Sequence, residues 1–144
     1  MRKRRKAERR SECPLNASVE MLGDRWSLLI IRDMMLRGAR TYKEFLQCYE
    51  GIATNILADR LRKLIAYRII TTEPDPSDGR KLTYRLTAKG IDLAPVLLDL
   101  LIWGARHEQT GAPCALIGRM EKNREEVLAE ARRRRAMAAP DVRS

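Results

Sequence analysis

TYKEFLQCYEGIATNILADRLRKLIAYRIITTEPDPSDGRKLTYRLTAKG, residues 41 to 90, carries the pattern on which the fold turns. Its first part reads as a short helix through Cys48, capped by Thr41, with Tyr42, Phe45 and Leu46 pointing inward. Glu50 and Gly51 make a turn. A second helix, about Thr54 to Tyr67, sets Leu57, Leu61 and Ile65 four residues apart, joined by Ile56 and Leu64, as an apolar stripe. Its other face is polar: Thr54, Asn55, Asp59 and Arg62 lie on it, with Arg60 and Lys63 at the flanks. After Tyr67 the period changes. Ile69 to Thr72 form an unbroken β-branched run, and Leu82 to Thr87 alternates apolar or aromatic with polar residues, so each predicts a strand. Between them EPDPSDGRK holds two prolines, two aspartates and a glycine, which exclude regular structure and leave a hairpin with a long polar tip. Arg80 and Lys81 stand on its return.

Upstream, Leu15, Val19 and Leu22 recur at helical spacing until Gly23 stops the helix, and Asp24 can cap another over Arg25 to Leu36. That helix is apolar around nearly its whole circumference and must be central. Downstream, Thr87 caps a long helix to about His107. Ile91, Val96 (or Pro95), Leu98, Ile102 and Ala105 mark one of its faces, Leu97, Leu100, Leu101 and Trp103 widen it, and Pro95 should bend it or sit at a break. So much apolar surface exceeds what a small body can cover, which makes a second subunit the economical partner. Residues 118 to 135 read as a partly frayed helix ending in Arg132 to Arg135. The element order defines an α+β, mostly helical fold: a winged helix-turn-helix with a two-stranded hairpin wing and long N- and C-terminal helices for dimerisation. In such a domain the helix at 54 to 67 enters the major groove of duplex DNA, the helix at 42 to 48 crosses the backbone, and the wing extends towards the minor groove.

Composition sets the limits of this reading. The 144 residues suit one domain with tails: a flexible basic arm at 1 to 12, the winged domain at 13 to 110 and a basic C-terminal helix or tail at 111 to 144. The formal net charge is +10, but residues 13 to 118 carry only +2 of it, against +5 for residues 1 to 12 and +3 for residues 119 to 144. Charge alone therefore leaves two accounts of the arm, a phosphate contact or a solubilising tail, and keeps a nonspecific nucleic-acid-binding module as a rival. Three widely spaced cysteines and one histidine argue against zinc and against a disulfide scaffold, and no cofactor is implied. With a lone His107, no glycine-rich phosphate loop and scattered carboxylates, no catalytic constellation assembles. No apolar segment approaches the roughly 18 residues of a membrane span, and a cytoplasmic location is expected.

On the groove face, Thr54, Asn55, Asp59 and Arg62 are the candidates for base contact, because Asn and Arg can bond adenine and guanine edges bidentately. Asp59 can instead pair with Arg62 or Lys63, or accept from cytosine. Arg40, Thr41, Tyr42, Lys43, Arg80 and Lys81 are the expected phosphate contacts. Cys13 stands before the first helix near Arg9 and Arg10, a setting that favours the reactive thiolate.

Cys13-Pro14, Leu22-Gly23-Asp24-Arg25-Trp26, Leu28-Leu29-Ile30, Arg40-Thr41-Tyr42-Lys43-Glu44-Phe45, Gly51-Ile52, Arg60-Leu61-Arg62-Lys63-Leu64, Tyr84-Arg85-Leu86-Thr87-Ala88-Lys89-Gly90, Pro95-Val96-Leu97 and Trp103-Gly104 occur here in an order that resembles the HxlR-type regulators. The resemblance spans about residues 13 to 107 and implies a homodimer on an imperfectly palindromic operator in double-stranded DNA. It also implies that Cys13 senses oxidants or electrophiles, with Cys48 of the other subunit as a possible disulfide partner. A small hydrophobic inducer between the dimer helices near Trp26 and Trp103 is the alternative signal. Ala53 departs from the family, which usually offers a serine cap there, so Thr54 is expected to cap instead and the helix to start one residue later.

Overall fold

The computed structural model describes residues 10–138, so most of the basic arm lies outside the described residues. The chain runs α1 (Pro14–Leu22), α2 (Arg25–Leu36), α3 (Tyr42–Leu46), α4 (Thr54–Ala66), β1 (Ile70–Pro74), β2 (Leu82–Leu86), α5 (Ala88–Ile91), α6 (Ala94–His107), α7 (Cys114–Lys122) and α8 (Arg124–Ala138). The strands pair antiparallel, from Ile70 opposite Leu86 to Pro74 opposite Leu82. The Tyr84 amide adds a bond to the Arg40 carbonyl (2.7 Å), which lays the segment before α3 along the hairpin.

α2 is central, as its all-round apolarity requires: Ile30, Ile31, Met34 and Met35 are buried. α4 packs Leu57, Leu61 and Leu64 against it, each such side chain contributing about 1.5–3 kcal/mol when fully removed from water. Ile65, expected in that stripe, is exposed instead. It sits one residue past Leu64, so the helical rotation carries it round to the outer face. Val96 is likewise exposed and does not share the buried face of Leu98 and Ile102.

The expected long helix after the hairpin is two, α5 and α6, with Pro95 in the first turn of α6 where its missing N–H costs nothing. Thr87 accepts from the Gly90 amide (3.0 Å) and donates to the Arg68 carbonyl (2.6 Å), while Lys89 reaches the Tyr67 carbonyl (2.8 Å). A Cβ on Gly90 would lie 2.1 Å from the Ile69 carbonyl, so only glycine lets α5 sit on the start of β1.

The C-terminal segment differs most from expectation. α8 is not a frayed tail: Leu128 and Ala131 are buried, Arg134 donates to the Met35 carbonyl at the end of α2 (2.9 Å), and Arg135 donates to the Leu86 carbonyl (3.0 Å).

Candidate nucleic-acid interface

α3 and α4 are joined through residues 47–53. Thr41 and Glu44 close a capping box: the Thr41 hydroxyl accepts from the Glu44 amide (3.1 Å), and the Glu44 carboxylate accepts from the Arg40 (2.8 Å) and Thr41 (3.1 Å) amides. The Tyr42 hydroxyl donates to the Thr54 carbonyl (2.7 Å), fixing the start of α4 against α3. Of the expected phosphate contacts on this element, Thr41 and Tyr42 thus hold the geometry with their polar groups, and Lys43 is exposed. With its proton on Thr54, Tyr42 can accept a further bond but not also donate one to phosphate.

α4 presents the expected face. Thr54, Asn55, Asp59 and Arg62 are all exposed, and Ile65 lies further along the same side, which the stripe reading had turned inward. The cap differs from expectation: Ala53 occupies the N-cap, no side chain bonds the first-turn amides, and Thr54 is already the first helical residue. The exposed N-terminus leaves donors and a positive dipole end, the arrangement that receives phosphate.

The flanking cations of α4 have a different task. Arg60 Nε lies 3.0 Å from Asp24 Oδ1 and Lys63 Nζ 3.2 Å from Asp24 Oδ2. Asp24 is also the cap of α2, accepting from the Trp26 (3.0 Å) and Ser27 (2.9 Å) amides and the Ser27 hydroxyl (2.7 Å). Partial burial pushes its carboxyl up, but the bonds from Ser27, Arg60 and Lys63 outweigh that and hold it well below the ordinary range. A second brace starts from α2: Arg32 meets Glu50 with both terminal nitrogens (2.8 and 2.9 Å) and Asp33 through Nε (2.9 Å). The Arg32 bonds hold the Glu50 carboxyl at about 2. Sequence reading missed both braces, because the partners stand far apart in the chain.

Asp59 pairs with Arg60 (2.6 Å) more closely than with Arg62 (3.5 Å), so the Arg62 side chain, 72% exposed, remains extended into solvent. At the wing tip, Asp75 is held below its ordinary value by the Ser77 amide and hydroxyl, and Asp78 by the Arg80 side chain and amide. Arg80 and Lys81 are exposed there.

Cys13 is exposed at the N-cap of α1, and Cys48 is half-buried just past α3. Arg9 lies outside the described residues. Leu15 and Val19 of α1 and Val96, Leu100 and Trp103 of α6 are exposed apolar residues.

A helix-turn-helix followed by a hairpin, with a polar, exposed face on the second helix, defines a winged-helix DNA-binding regulator. The HxlR-like helix-turn-helix model matches residues 21–111, and the chain belongs to that family. It is a transcriptional regulator. It is 32% identical over 106 residues to the HTH-type transcriptional regulator sll1512 of Synechocystis sp., covering 73% of this chain and 78% of that one. Mycobacterium tuberculosis Rv3095, also an HTH-type transcriptional regulator, is longer: the chain spans 54% of it, with 34% identity over 87 residues. Among solved structures, the redox regulator HypR in its oxidized form superposes with a TM-score of 0.60 at 26% identity, over 68% of this chain and all (100%) of HypR. The described residues contain no helix long and apolar enough to cross a membrane.

Proposed function

We propose that the chain is a homodimeric, sequence-specific regulator that binds an imperfectly palindromic operator in the cytoplasm and is switched by thiol-reactive signals at Cys13. The observation that carries the DNA reading is the exposed α4 face, braced from α2 at both ends and left free of structural duties at Asn55 and Arg62. Asn55 and Arg62 read base edges, Thr54 and Asp59 adjust that reading, Arg40, Thr41, Lys43, Arg80 and Lys81 set affinity through phosphate, and Tyr42 holds the start of α4 in place for them.

The exposed apolar residues of α1 and α6 support dimerisation, because a second copy would cover them. Exposure of Cys13 and the likeness to HypR support the thiol switch. Oxidation forms a bond between the Cys13 sulfur and the Cys48 sulfur of a second copy. Two electrons and two protons pass to the oxidant, so that diamide becomes its hydrazine.

A gel-shift titration against DNA from the gene's own upstream region, at about 150 mM salt with excess competitor, tests both parts. The expected result is a competitor-resistant shift that diamide abolishes in the native chain and leaves intact in Cys13→Ser. A shift lost to competitor would overturn sequence-specific binding; one that diamide still abolishes in Cys13→Ser would remove Cys13 as the sensor.

A further inference from the structure

α2, α6 and α8 enclose a cavity of about 340 Å³ that opens on one side. Leu28, Leu29, Leu97, Leu101, Val127 and Leu128 are among the side chains that line it. The size falls within the ~300–1,000 Å³ of small-molecule pockets. An apolar cavity of ~150 Å³ already admits benzene, so this one has room for a fused bicyclic ring or an aliphatic chain of similar bulk. Among the described residues lining it, Arg32 is the one charged group, and its guanidinium is engaged by Glu50 and Asp33. The wall therefore offers no uncompensated charge to an anion or cation.

A second copy of the chain fits an adjoining surface, which shares Leu100 with the cavity's edge. Val96 and Trp103 stand on one exposed side of α6 and line no part of the cavity, whereas Leu97 and Leu101 face it and Leu100, itself exposed, borders both. The third wall, α8, belongs to the segment beyond the matched family region of 21–111. The site is thus built within one subunit and completed by this chain's own extension.

We propose that the cavity binds a neutral, apolar small molecule, and that Arg32 couples its presence to the helix-turn-helix. Arg32 lines the cavity and at the same time holds Glu50, three residues before the cap of α4. A ligand that shifts α2 or the Arg32 side chain alters that brace and with it the seating of the reading helix. The coupling rests on the DNA-binding reading above; the cavity's occupancy does not.

The test is a fluorescence titration of the full chain with N-phenyl-1-naphthylamine, a neutral dye that brightens in apolar surroundings. Saturable binding of one dye per chain is expected, weakened at least tenfold by Leu97→Trp and by Leu101→Trp, each of which places an indole in the cavity. No saturable binding, binding indifferent to both substitutions, or one dye per two chains, which indicates an intersubunit seam, would each overturn the site. If one variant loses its helical circular dichroism, the other variant and the stoichiometry on the native chain still decide. For the coupling, saturating dye should change the operator Kd at least threefold in the native chain and leave it unchanged in Glu50→Ala, which breaks the Arg32 brace from outside the cavity wall and still binds dye. An equal change in both removes Arg32 as the link, and a chain that binds dye but no DNA overturns the regulatory reading alone.

Discussion

Asp24 and Glu50 hold α4 from two sides, and each does so only while ionised. Their folded-state carboxyls lie below the unfolded values, so their contribution is present above about pH 4.5 and is lost as the pH falls through the folded values. For Glu50 the window runs from about pH 4.5 to about 2. Chemical denaturation across that range should show stability falling with pH, with Glu50→Gln removing about 2 kcal/mol of the fall; an unchanged slope would mean that the brace has no thermodynamic weight. The sequence identified Asp24 as a cap, because a cap is a local pattern, yet gave no sign that Arg60 and Lys63 would meet the same carboxylate. Their engagement by Asp24 leaves Arg62 as the exposed cation of the α4 face proposed to meet DNA. Arg62→Ala should therefore cost about 1–3 kcal/mol on the operator and little on competitor DNA, whereas Arg80→Ala should weaken both alike, as titrations on the two DNAs would reveal.

At the level of elements, periodicity was a good guide wherever a face is wide. The buried sides of α2 and α4 and the pairing of β1 with β2 all follow from it. It failed where one residue decides: Ile65 sits at the edge of its stripe, and Ala53 caps α4 without a side-chain acceptor. Ala53→Ser should supply that acceptor and raise stability by about 0.5–2 kcal/mol in urea denaturation, provided the new hydroxyl reaches the first-turn amides. α8 was misread for another reason. Eight of its 15 residues are charged, and the few apolar residues that bury, chiefly Leu128 and Ala131, make too narrow a strip to stand out from a solvated helix. Leu128→Ala should cost about 2–5 kcal/mol if α8 is docked, and close to nothing if it frays, which the same denaturation experiment distinguishes.

For the molecule as a whole, the order of elements was enough to name the fold, because few arrangements place a short helix, a reading helix and a hairpin in that succession. What order cannot supply is what covers the exposed side of α6, which the proposed dimer assigns to a second copy. Val96→Glu with Trp103→Glu places charge on that surface, and sedimentation should show the double variant as a monomer with operator affinity reduced at least tenfold. A dimer that survives both changes would move the interface elsewhere. The bond from Arg134 to Met35 spans 99 residues and has a separate consequence for how the chain reaches its native state. The hairpin and the α3–α4 pair close over short stretches, whereas docking α8 requires a long loop to close, which is entropically slower. Until that closure, the leucines of α2 and α6 stand open. Refolding therefore becomes a race between α8 and neighbouring chains for the same apolar surface, and high protein concentration during refolding favours aggregates.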